Sequence, residues 1–127
     1  MAKRISTAAF FKRVIEAWGD EIANAGKKEL QRGAEKILTQ AKENCPVDTG
    51  KLRDSLHIET SRDGSDVRVV ADAQNDEGVY YGRYVEFSPT TGKPFLYPAY
   101  DANIRQIRQN ALRAMNQAAR DRFPRTN

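Results

Sequence analysis

The run "SLHIETSRDGSDVRVVADA" at residues 55–73 constrains this chain more tightly than any other stretch. Asp63-Gly64 is a strong two-residue turn signal, because a tight hairpin turn requires positive φ at both of its central positions. Fixing the turn there fixes the register. Thr60 then pairs with Val67, Ile58 with Val69 and Leu56 with Ala71 on one face, while Glu59 falls opposite Arg68 on the other. The apolar side chains land together and the polar pair matches in charge, so pattern and turn agree. An antiparallel hairpin is expected over about 55–73.

The flanking segments carry a helical rhythm. Phe10, Phe11, Val14, Ile15 and Trp18 share one face, predicting an N-terminal helix over 6–18. Gly19-Asp20 offers a break, with Asp20 placed to cap a new start. From there Leu30, Ala34, Ile37, Leu38, Ala41 and Cys45 recur at helical spacing, predicting a long helix over 20–45. Pro46 ends it, since the residue before a proline is pushed out of the helical region. Gly26 and Gly33 are expected to weaken this helix by roughly 1 kcal/mol each relative to alanine. A second long helix is predicted over 98–121, with Tyr100, Ile104, Ile107, Ala111, Leu112, Met115 and Ala118 as its buried stripe.

Between them, "VYYGRYVEFS" at 79–88 is aromatic and β-rich, and reads as a third strand over about 80–88, although its first half also fits a helical turn. "SPTTGKP" follows as a loop over 88–94. The expected fold class is α+β: two long helices packed on a small antiparallel sheet made of the hairpin and the third strand, with the N-terminal helix in front. Ile37, Leu38, Ile58, Val69, Ile104 and Ile107 should form the shared core. The chain is expected to be a single domain over 1–127, because that length supports one modest core.

Composition removes whole classes of function. With 39% apolar and 30% charged residues the chain reads as soluble and globular. No apolar run approaches the roughly 18 residues of a membrane helix, and "MAKRISTAAFF" lacks the apolar core of a signal peptide, so no membrane partner is expected. One cysteine cannot form an internal disulfide, which suits a reducing compartment. Cys45, at the apolar end of a helical pattern, should be buried rather than reactive. A lone His57 beside one cysteine argues against a zinc centre, which takes about four ligands. No metal and no cofactor is expected. The net charge of +4 is unevenly spread, at +3 over 1–45, −4 over 46–103 and +5 over 104–127, and that asymmetry bears on partners.

"CPVDTGKLRD" raises the sharpest question, because Asp48-Thr49-Gly50 is the active-site triplet of aspartic proteases. Such a triplet should sit between apolar strands. Here a long helix precedes it, and Lys51, Arg53 and Asp54 follow. The alternative is a helix start: Asp48 caps a short turn through about Asp54, with Val47 and Leu52 at the spacing of a hydrophobic staple. The capping role fits the context better. No Gly-rich phosphate loop, nucleophile elbow or Ser/His/Asp arrangement is evident, and His57 reads as a surface residue, so catalytic residues are none and no enzyme is expected.

Arg105, Arg108, Arg113, Arg120, Arg122 and Arg125 could bind phosphates, although a solvated helix face is the more ordinary use of such a series. They support one alternative, a small basic DNA-binding protein. Tyr80, Tyr81, Tyr84 and Phe87 could stack on bases, but strand aromatics in a small core are the plainer explanation. The Phe10, Phe11, Val14 and Trp18 face is either core or a docking surface.

Three motifs taken together are more telling. Pro46-Val47-Asp48-Thr49-Gly50-Lys51-Leu52 follows the first long helix, Tyr84-Val85-Glu86-Phe87 lies at the expected third strand, and Pro94-Phe95-Leu96-Tyr97-Pro98-Ala99 opens the last helix. Their order and content resemble the small neck and tail-component proteins of tailed phages. The family is typified by gene product ten of the lambdoid head–tail modules, related in role to the lambda tail-completion protein Z. The resemblance spans about residues 20–120, with Ser88-Pro89 standing where the family usually has Gly-Thr.

That resemblance implies a non-enzymatic virion part at the head–tail junction or tail top, present in the host cytoplasm during assembly. It implies a homo-oligomeric ring, six-fold or twelve-fold, that joins the head to the tail and continues the DNA channel. Its partners would be further copies of itself, the adjacent head-closure and tail-tube or tail-terminator proteins, and passing genomic DNA without sequence specificity. The motif residues would then have structural tasks, with Asp48 capping, Gly50 allowing a tight turn, and Pro94 and Pro98 stiffening the entry to the last helix. Phe10, Phe11, Val14, Trp18, Pro89 and Gly92 would be candidate contacts between subunits.

Overall fold

The computed structural model describes residues 1–46 and 50–124. In chain order the elements are β1 (Ala2–Ser6), α1 (Ala8–Trp18), α2 (Asp20–Asn44), α3 (Lys51–Ser55), β2 (His57–Thr60), β3 (Val67–Val70), α4 (Gly82–Phe87) and α5 (Leu96–Arg122). The class is α+β, with two long helices beside one three-stranded antiparallel sheet of order β1-β3-β2.

The hairpin has the expected register, with Thr60 opposite Val67, Ile58 opposite Val69 and Glu59 opposite Arg68. Its turn is different. Only Gly64 has positive φ, at 77°, whereas a tight two-residue turn would need Asp63 there as well. The strands are instead joined by residues 61–66, closed by hydrogen bonds from Ser61 N–H to the Asp66 carbonyl and from Gly64 N–H to the Ser61 carbonyl. The longer loop is still centred on Asp63-Gly64, so the register survives the change of turn.

The third strand is a correction. Residues 80–88 do not join the sheet; they form α4, preceded by an isolated bridge between Gln74 and Tyr80. The third strand is β1, which pairs with β3 through Ala2–Val70, Lys3–Val69, Arg4–Arg68 and Ser6–Val67. The register shifts between Arg4 and Ser6, and this irregularity leaves Ile5 and Ser6 both buried. Because 2–6 is a strand, the N-terminal helix starts at Ala8 rather than at residue 6. The Thr7 hydroxyl caps it by accepting the Phe10 N–H at 3.3 Å.

Helix α2 ends where Pro46 requires, at Asn44. Its cap position is taken by Gly19, with φ of 94°, so Asp20 lies inside the first turn instead of capping it. There the carboxylates of Asp20 and Glu21 complement the positive end of the helix dipole. Helix α5 starts two residues earlier than expected, because Pro98 is tolerated within the first turn, where its missing N–H leaves no bond unmade.

The most extensive packing is between α2 and α5. Gly26 and Gly33 make it possible. A Cβ on Gly33 would sit 2.6 Å from Ile107 Cγ1, and one on Gly26 would sit 2.7 Å from Met115 Sδ. The two glycines therefore trade helix propensity for close approach of the helices. Asn103, buried on α5, donates from Nδ2 to Gln40 Oε1 on α2 at 2.6 Å and to the Ala99 carbonyl at 2.7 Å. Ile37, Val69 and Ile107 are buried as expected, while Leu38, Ile58 and Ile104 are only partly so. Burial of each large apolar side chain contributes about 1.5–3 kcal/mol.

Candidate functional site

The three motif segments converge on one internal junction. Glu86, on α4, is only 3% exposed, and its carboxylate faces the start of α5. Oε2 accepts the Phe95 N–H at 3.1 Å and Oε1 accepts the Leu96 N–H at 2.9 Å. These are two of the donors that a helix start leaves unpaired, and an anion there also meets the helix dipole. Asn44, at the end of α2, donates from Nδ2 to the Phe95 carbonyl at 3.4 Å, and Lys93 N–H donates to the Val85 carbonyl at 2.7 Å. Phe95, Leu96 and Ala99 are fully buried beneath these bonds.

The first motif reaches the same place through its described residues. Gly50 is buried with φ of 78°, at the cap position of α3, and Leu52 is buried two residues later. Gly82, which begins α4, packs close to both Ala71 and Leu52: a Cβ there would lie 3.6 Å from the Ala71 carbonyl oxygen and 3.7 Å from Leu52 Cδ1. The Asp48 cap and the Val47 staple lie outside the described residues, as does Thr49. Cys45 is buried beside this junction, and burial pushes its thiol pKa up, with Arg53 opposing and Glu86 reinforcing the shift. Such a thiol is poorly nucleophilic.

The charged outer face of the hairpin is a second cluster. His57 Nδ1 lies 2.7 Å from the Ser55 carbonyl, and Nε2 lies 3.1 Å from Glu59 Oε2 and 3.9 Å from Asp72 Oδ2. The Ser55 bond, helped by Glu59 and Asp72 against partial desolvation, raises the His57 pKa. Glu59 in turn is lowered, first by His57 and then by Arg68, to which it is also bonded. The His57, Glu59 and Asp72 ligand atoms lie within 4.8 Å of one another. They are partly or wholly exposed, and Glu59 is already engaged by both His57 and Arg68. The cluster works as an ion-pair network across the strands.

The remaining sequence candidates spread over the surface. Phe11 is fully buried and belongs to the core, whereas Phe10, Val14 and Trp18 keep exposed or half-exposed side chains. Trp18 is 55% exposed and lies 6.5 Å from the Phe123 ring. Pro89 is exposed and Gly92 half-buried in the loop after α4, where the Gly92 N–H donates to the Ser88 carbonyl at 2.9 Å. Tyr80, Tyr84 and Phe87 are exposed, not packed in a core; Phe87 meets the Tyr97 ring edge-on at 4.8 Å. Leu112 is likewise exposed, contrary to its place in the expected buried stripe. On α5, Arg122 pairs with Glu21 at 2.9 Å and Arg108 donates to the Tyr100 hydroxyl at 3.2 Å, while Arg105, Arg113 and Arg120 are exposed. Arg125 lies outside the described residues.

Glu86, Phe95, Leu96 and Ala99 of the motifs are therefore spent on internal packing, whereas the motif aromatics Tyr84 and Phe87 are at the surface. Among the described residues, no helix is long and apolar enough to cross a membrane. That distribution defines a small α+β protein with exposed aromatic side chains at its surface. Residues 9–87 match the family model described as "Bacteriophage HK97-gp10, putative tail-component". The chain belongs to this family of phage tail components. No curated protein and no solved structure matches it.

Proposed function

We propose that this chain is a ring-forming subunit of the neck or tail top, which joins the DNA-filled head to the tail and continues the channel for DNA. It acts without catalysis. Its partners are further copies of itself and the adjacent head-closure and tail-tube or tail-terminator proteins. The observation that carries this is the set of aromatic and aliphatic side chains left at the surface of a tail-component fold. Phe10 and Trp18 lie along α1 with Val14 half-covered between them, and Val79, Tyr80, Tyr84 and Phe87 lie before and along α4. A small subunit that works alone would hide such groups, whereas a ring covers them with its neighbours. The exposed Arg105, Arg113 and Arg120 suit backbone contact with passing DNA, which needs charge and no base reading.

The test is substitution of Trp18 and Phe10 by serine in the encoding phage or prophage. Deleting residues 1–18 is a poorer experiment, because it would remove β1 and the buried Phe11. Full heads and complete tails accumulating side by side, unjoined, is the expected outcome. Unchanged infectious yield, or normal particles that lack this protein, would end the proposal. Tight binding of the isolated chain to random DNA with a steep salt slope would favour the small DNA-binding alternative instead.

A further inference from the structure

Residues 74–80 form a short finger between β3 and α4. Gln74 bridges to Tyr80, Asn75 N–H donates to the Val79 carbonyl at 2.9 Å, and Asn75 Oδ1 accepts the N–H groups of Glu77 and Val79. The tip is therefore well held, yet everything on it faces outward. Val79 and Tyr80 are 53% and 61% exposed, and Asp76 and Glu77 are exposed beside them.

A groove of about 290 Å³ opens elsewhere on the molecule. Ile5, Thr7 and Phe10 line one side, and Leu112 and Met115 on α5 line the other, with Arg108 at its edge. Arg105 lies exposed one turn away on the same helix. The groove falls just short of the size that takes a drug-like ligand, and suits one or two protein side chains.

The sheet fixes how the two features are disposed. At one end of β1, the Met1 carbonyl accepts the Ala71 N–H at 2.8 Å, three residues before the finger begins. At the other end, Ile5, Ser6 and Thr7 enter the groove. Finger and groove thus lie toward opposite ends of one five-residue strand.

We infer that the finger of one copy docks in the groove of the next. Tyr80 and Val79 supply the apolar body, and Asp76 and Glu77 meet Arg108 and Arg105 at the edge. Charge decides the pairing. Two fingers facing each other would bring four carboxylates together, and two grooves would bring arginines together, so a symmetric dimer through either feature is disfavoured. A finger-to-groove contact is head-to-tail, the kind that generates rings when its rotation closes. The inference rests on the ring proposal and names the surfaces it would use.

The test uses the full chain carrying Cys45→Ala, with Tyr80→Cys and Leu112→Cys together, oxidised at high concentration. A ladder of disulfide-linked multimers is expected from the double variant. Either single variant should give at most a dimer. Monomer alone from the double variant, or efficient dimers from Tyr80→Cys by itself, would overturn the docking. In parallel, Asp76→Lys with Glu77→Lys should weaken self-association about tenfold by sedimentation, and adding Arg108→Glu with Arg105→Glu should restore it. No weakening, or no rescue, also counts against it. The ring proposal fails separately: particles that hold one isolated copy would refute it even if the cross-linked ladder forms. Ring-shaped assemblies that persist in the charge-reversed variants would keep the ring and discard these surfaces.

Discussion

Glu86 and Leu96 are ten residues apart, and the Glu86 carboxylate accepts the Leu96 backbone N–H at 2.9 Å while its other oxygen takes the N–H of Phe95. A buried side chain on a short helix thereby starts the longest helix in the molecule. Glu86→Ala would leave two buried donors unpaired at a helix start, at a cost of about 1–3 kcal/mol for each group. Glu86→Gln keeps one acceptor oxygen and should lose less. Urea unfolding of the three proteins gives the order; an alanine variant as stable as the parent would remove Glu86 from this role.

Gly33 and Gly26 make a paired prediction about helix packing. Alanine raises helix propensity by about 1 kcal/mol at either site. At Gly33 that gain is overridden, because the new Cβ meets the branched Ile107 side chain, and overpacking of this kind costs about 1–3 kcal/mol. At Gly26 the neighbour is the flexible end of Met115, which can swing away, so Gly26→Ala should be close to neutral. Thermal unfolding of both variants would separate them. Equal effects would mean that α2 and α5 are not held this closely.

The hairpin loop should respond to acid. Asp63 is lowered from 3.8 to about 2, first by the Ser65 hydroxyl, then by the Ser65 N–H and the Ser61 hydroxyl. A carboxyl depressed on folding stabilises the native state above its ordinary pKa, and that contribution is lost as pH falls toward 2. Carboxyl NMR should place the Asp63 midpoint near 2, and Ser65→Ala should move it upward. A midpoint at the ordinary value in the parent chain would show that the loop bonds do not form in solution.

Phe11 and Trp18 belong to one helix but should behave oppositely. Phe11→Ala removes a fully buried ring and should cost about 3–5 kcal/mol. Trp18→Ala touches a half-exposed ring and should cost under about 1 kcal/mol, leaving the isolated chain folded. Circular-dichroism melts decide it. A large loss at Trp18 would make that side chain part of the core and unavailable to a neighbour.

The sequence was most legible where several signals coincided. The register of β2 on β3 followed from a charge pair, an apolar face and a glycine at the loop centre, and it survived a longer loop because 61–66 is symmetric about that centre. The stop of α2 followed from a proline. What escaped depended on tertiary contacts. In α4 the buried positions are Gly82 and Glu86, which no apolar pattern marks, while the aromatics that suggested a strand point outward. β1 has a single strongly apolar residue, Ile5, so nothing in its own composition announces a strand. The value of Gly33 lay in Ile107, more than seventy residues away, and local propensity could register only its weakness.

β3 is the middle strand of the sheet, and both other strands pair only with it. It is also the last of the three to be synthesised. During translation at about 5–20 residues per second, β1 waits roughly 3–13 s after it is made before Val70 exists. For that interval an unpaired strand edge has no native partner on the nascent chain, while α1 and then α2 are completed within it. Sheet formation is thus timed by the arrival of four residues, Val67 to Val70, and the hairpin with β2 closes over a far shorter loop than the pairing with β1.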